Sequence, residues 1–182
     1  MTQKFRGTSQ FALLADSLPV RARIGLTLVA ADVALDRLKS SPHFPIARAA
    51  FDLARRWYDG QRFDPELFED AVAPESGRGV ALCAVEAKSE DEEAAWGAVD
   101  CAALYTAFHA FRALGKLPSP LVSEVDEDVL DELDKSLHFV SPDLIITVLK
   151  AAEYLKRDPD ASFSQLKSSI SNASPKRNMA RS

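Results

Sequence analysis

Residues 91–114, DEEAAWGAVDCAALYTAFHAFRAL, carry apolar side chains around most of a helix circumference. Trp96, Val99, Ala103, Leu104, Ala107, Phe111 and Leu114 share a broad face, and only Thr106, His109 and Arg112 mark a clear polar side. Such a helix must bury several faces at once, so it belongs at the centre of a bundle. Gly115, with Pro118 and Pro120 beyond it, supplies the stop signal.

The flanking segments repeat the helical period. Val20, Ile24, Leu28, Ala31, Leu35 and Leu38 form one stripe that Pro42 closes. Pro45 suits a helix first turn, and Ile46, Ala50, Leu53 and Trp57 form the next stripe, ended by Gly60. Asp64-Pro65 opens a short helix that ends before Pro74. Residues 80–85 read as helix or strand by periodicity, with helix favoured. Ser123-Glu124-Val125-Asp126 resembles a capping box, with Val129, Leu130, Leu133 and Leu137 behind it. Ser141-Pro142-Asp143 starts another helix, and Ser162 with Gln165 starts a last one over about 163–172. The expected architecture is a single all-α bundle of about seven to eight helices with a long central apolar helix. Its domain runs over 19–172, behind a lead-in at 1–18 and ahead of a flexible basic tail at 173–182.

Among 182 residues there are only 7 glycines, too few for the turns of an all-β chain. The net charge of −5 disfavours non-specific nucleic-acid binding, which needs a basic face. No apolar stretch approaches the roughly 20 residues of a membrane span, and no secretory signal is visible, so a cytoplasmic location and no membrane association are expected. Cys83 and Cys101 lie in apolar stretches and read as buried free thiols rather than a disulfide.

Catalytic motifs are absent. His43, His109 and His138 lie far apart in sequence and lack the spacing of helical metal sites, and Gly77-Arg78-Gly79 lacks the Lys-Ser/Thr of a phosphate loop. No metal site, no cofactor and no enzymatic activity are expected. Asp100 is the exception to be explained, because it shares the helical direction of Leu104, Ala107 and Phe111. It reads as a buried structural carboxylate bonded to a partner elsewhere, with removal expected to destabilise the fold. The alternative is a catalytic acid of a hydrolase, working with a distant histidine.

The acids are unevenly distributed. Residues 64–100 hold eleven acids against two bases, and residues 120–135 hold seven against one. Glu90, Asp91, Glu92 and Glu93 open one helix; Asp126, Glu127, Asp128, Asp131 and Glu132 open another. Acids in a first turn complement the helix dipole, but charge this concentrated also suits capture of a basic partner.

The succession RIGLTLVAADVALDRL, PIARAAFDLARRWYDGQRFDPELFED, DEEAAWGAVDCAALYTAFHAFRALG and PLVSEVDEDVLDELDKSL over residues 20–138 resembles the sixth named immunity-protein family of bacterial polymorphic toxin systems. Trp57, Trp96 with Asp100, and Val125-Asp126-Glu127-Asp128 carry the resemblance. It implies a small, mostly helical bacterial protein that binds and neutralises a cognate toxin, and it brings no catalytic residues with it. Trp57, Trp96 and Asp100 are then buried structural residues. The acidic stretches become candidate faces for a toxin, and would suit one with a basic active-site cleft. The competing binding role is that of a helical adaptor or chaperone for a secreted effector.

Overall fold

A computed structural model describes residues 10–172 apart from Ser76, Asp126 and Glu127. Among these residues there are ten helices and no strand: α1 Gln10–Asp16, α2 Val20–Leu38, α3 Phe44–Tyr58, α4 Glu66–Val72, α5 Val80–Val85, α6 Glu90–Leu114, α7 Pro120–Ser123, α8 Asp128–Val140, α9 Pro142–Arg157 and α10 Phe163–Asn172. The all-α expectation holds. The count exceeds it because α1 and α7 are too short to show a period. Residues 80–85 are helical, settling the ambiguity there.

α6 is the axis of the bundle. It packs most extensively on α2, then on α8, α3 and α5. Its small side chains, including Ala95, Ala98, Ala102, Ala103, Ala107 and Ala110, are buried and let neighbouring backbones approach closely. Thr106, expected on the polar side, is instead fully buried. Its Oγ1 donates to the Ala102 carbonyl at 2.7 Å, so the hydroxyl is satisfied within its own helix. Leu114, expected on the apolar face, is exposed where the helix runs out of neighbours.

α2 is a second central helix rather than a one-striped one. Every residue from Ile24 to Ala31 is buried. Gly25 makes this possible: a Cβ there would stand 2.7 Å from the Tyr58 hydroxyl of α3. That hydroxyl donates to the Ala161 carbonyl at 2.8 Å, tying α3 to the turn before α10.

Local signals account for most helix ends. Gly115 adopts a left-handed conformation (φ 64°) and closes α6 through Gly115 N–H to Arg112 O and Lys116 N–H to Phe111 O. The Ser162–Gln165 box forms, with Ser162 N–H donating to Gln165 Oε1 at 2.8 Å. The Ser123–Asp126 box expected from the sequence turns on Asp126, which lies outside the described residues. Ser123 ends α7, and its Oγ donates to the Pro120 carbonyl at 3.1 Å. Pro120 fixes a helical first turn ahead of it, so the chain coils there before α8 begins.

Candidate functional site

Charge surfaces first at the N-terminus of α6. Ser89 is extended, and its Oγ accepts the Glu92 N–H at 3.2 Å. Glu92 reaches back, its Oε2 accepting the Lys88 N–H at 3.1 Å. Glu92 is therefore half-buried and occupied in closing the helix, whereas Glu90, Asp91 and Glu93 are exposed. Asp91 and Glu92 border a cleft of about 510 Å³ whose other lining includes Arg37, His43, Arg78 and Trp96. Arg78 is paired with Glu86, so part of the cationic side is neutralised within the fold.

Other acids of this stretch also serve the fold. Asp64 accepts the Glu66 N–H at 3.1 Å and pairs with Lys116 at 2.6 Å, which holds its carboxyl below the usual range. Glu69 accepts the Ser119 N–H at 2.9 Å and anchors the approach to α7.

The second acidic stretch is different. Asp126 and Glu127 lie outside the described residues, and Asp128 begins α8. Asp131 is half-buried, with Oδ1 enclosed and without a hydrogen-bond partner. Glu132 is exposed but paired with Lys135 at 2.5 Å. The two stretches are also far apart. Gly97 of α6 lies against Ser136 of α8, and Glu132 acts electrostatically on Cys101, so the helices run antiparallel. That register sets the first turn of α8 level with Tyr105, about 20 Å along the axis from Asp91. Glu132 and the exposed acids at the start of α6 therefore stand at separate places on the surface.

Trp57 and Trp96 are 8% and 1% exposed. Asp100 Oδ1 is enclosed, yet the bonded partner expected from the sequence is missing. Burial alone pushes its carboxyl up to about 6. His109 faces a different cleft, lined also by Trp57 and Tyr58, that does not include Asp100. Burial, then the Arg112 and Arg23 charges, pushes His109 down to about 4, so it is neutral. His138 is exposed, with Nδ1 2.8 Å from the Asp134 carbonyl. The Cys83 and Cys101 thiols are buried, and burial pushes Cys101 up to about 12, which leaves it protonated and unreactive. Among the described residues no group of three or more His, Cys, Asp or Glu is placed to hold a metal ion, and no helix is long and apolar enough to cross a membrane.

Sequence reasoning missed the cleft around His109. Its lining comes from α2, α3, the loop after α3, and α6, so no local spacing could reveal it. The available signal was compositional: arginines at 21, 62 and 112, each near the end of an apolar helical stretch.

No curated protein and no solved structure gave a match to the chain. The family model described as Immunity protein Imm6 matches residues 22–140, which takes in α2 to α8 and thus both central helices and both acidic stretches. The chain therefore belongs to the Imm6 family of immunity proteins.

Proposed function

We propose that the protein binds a cognate bacterial toxin directly and neutralises it, protecting the cell that makes both, and that the acidic start of α6 is a principal contact. The observation that carries this reading is the exposed set Glu90, Asp91 and Glu93, of which Asp91 borders a cleft of about 510 Å³, in a chain of the Imm6 family. An antidote needs a stable scaffold and a complementary face, not a reacting group. Exposed carboxylates on a rigid helix end create a local negative potential that speeds capture of a basic toxin surface and sets its orientation. Glu132, with Asp126 to Asp128 ahead of it in sequence, forms a second and separate contact. The protein acts by occlusion, without catalysis and without a cofactor, in the cytoplasm where such a toxin would do harm.

The test is co-expression with the toxin encoded beside this gene. Reversing Glu90, Asp91 and Glu93 to Lys should slow association about tenfold or more at low salt and reduce protection. Reversing Glu132 alone should have a smaller effect, because Lys135 already neutralises it. Full protection by the triple variant would remove the charged contact from the reading. Export of the effector without rescue by the wild-type chain would favour the adaptor instead.

A further inference from the structure

At the opposite end of α6 a second cleft, of about 530 Å³, opens between the start of α2, the end of α3 and the last turns of α6. The charged groups lining it are cationic: Arg21, Arg62 and Arg112. Arg21 is fixed in place. Its Nη1 donates to the Tyr58 carbonyl at 2.6 Å and its Nη2 to the Asp160 carbonyl at 3.3 Å, with the guanidinium 4.5 Å over the Tyr58 ring. Its Nε is enclosed without a hydrogen bond, 3.7 Å from Asp160 Oδ1. Arg62 lies 4.3 Å over the Trp57 indole and donates to the Trp57 carbonyl at 3.0 Å.

Beneath these arginines sit two further enclosed nitrogens. Trp57 is 8% exposed, and its Nε1–H has no acceptor. His109 Nε2 has no partner either, and its ring is held edge-on by Tyr105 and Phe108. The Tyr58 hydroxyl is engaged with Ala161 and supplies nothing here. Enclosed nitrogens without partners are rare because each loses its bond to water. Arg21 Nε has the Asp160 carboxylate as its counter-charge, so the two left without any counterpart are Trp57 Nε1 and His109 Nε2, and both residues line this cleft, which describes a missing group. An indole N–H can only donate, so the missing group accepts; with Arg21 already paired with Asp160, the Arg62 and Arg112 guanidinium groups beside it favour an anion. The rest of the wall, including Ile24, Ala113 and the Trp57 ring, is apolar, so the anion arrives on an apolar stem.

We propose that this cleft receives a carboxylate on a short apolar stem, the side chain of a Glu or Asp presented by the bound toxin. This rests on the toxin-binding reading and adds to it a cationic contact at the other end of α6. The test is NMR of the ¹⁵N-labelled full chain, titrated with glutarate and in parallel with inorganic phosphate. The Trp57 indole N–H resonance, assigned by its loss in Trp57→Phe, should move saturably with glutarate. The Arg62→Gln/Arg112→Gln double variant, whose altered side chains are exposed and do not hold the core, should weaken that response about tenfold. Absence of a saturable glutarate response, or a response unchanged in the double variant, would overturn the proposal. Saturation by phosphate alone would overturn the carboxylate assignment in favour of a phosphate ligand. The two readings fail separately: a chain that protects cells but ignores glutarate loses the cleft, and one that binds glutarate without protecting loses the toxin.

Discussion

α6 begins in Glu90, Asp91 and Glu93, open to solvent, and ends about 30 Å away in His109 and Arg112, which turn toward an aromatic cleft. The helix dipole favours both arrangements, acids at the N-terminus and a cation in the last turn. Charge sign alone therefore does not separate a functional end from a merely stable one. Satisfaction does. At the acidic end the polar groups that the helix must bury are bonded, Ser89 to Glu92 and Glu92 to Lys88. At the basic end Trp57 Nε1 and His109 Nε2 are enclosed and unbonded. One end is complete and offers charge outward; the other is missing an acceptor.

The largest effect is expected from removing what holds the two ends of α6 on one rigid axis. Trp96→Ala leaves a large cavity where α6 meets its neighbours and should cost about 3–5 kcal/mol in chemical denaturation. If the cost is under about 1 kcal/mol, α6 is not the axis.

Next come two titrations of opposite sign. Asp100 has a folded pKa raised to about 6, so its ionised form burdens the fold at neutral pH, and stability from this group rises as pH falls from 6 toward 4. His109 is held neutral down to about 4, while an unfolded imidazole protonates near 6.5, so its contribution is lost as pH falls from 6.5 toward 4. The two offset each other in the wild type. Asp100→Asn should stabilise by about 1–3 kcal/mol at pH 7, reversing the destabilisation that sequence alone suggested, since no partner is lost. It should also leave a steeper loss on acidification. His109→Gln should do the reverse, with the melting temperature rising from pH 7 to pH 5. Parallel melting curves for both variants would contradict the assignment of burial to either group.

Ser89→Ala removes the cap of the acidic end and should cost about 1 kcal/mol. The smallest effect on stability is expected at the exposed acids. Glu90→Lys/Asp91→Lys/Glu93→Lys should lower stability by less than about 1 kcal/mol, the scale of exposed dipole interactions, while slowing toxin capture. If thermal stability fell as much as protection, those acids would be structural.

Much of this was legible in the sequence. The girth of apolar residues in 91–114 dictated a central helix, and Gly115, Pro45, Asp64 and the Ser162–Gln165 pair placed ends correctly because capping is a contact between near neighbours. Thr106 misled because a hydroxyl can bond its own helix and be buried at little cost. Asp100 misled because sequence cannot show whether a buried carboxylate finds a partner; here Oδ1 finds none. The acidic runs were visible, but not that Glu92, Glu69 and Glu86 are bonded within the fold, nor that antiparallel packing of α6 and α8 parts the two runs.

By itself, then, the sequence determined the class of the fold, the helix that must lie inside it, and the charge of the outer turns. These follow from periodicity and composition, which act over four residues or so. Only the tertiary structure decided which charges remain available and which donors go unanswered. Arg21, Trp57, Arg62 and His109 come from three helices and a loop; the packing of α2, α3 and α6 brings them to one cleft and encloses nitrogens of Arg21, Trp57 and His109. Whether a polar group is satisfied depends on what the rest of the chain brings within 3 Å of it, and that distance is set by packing.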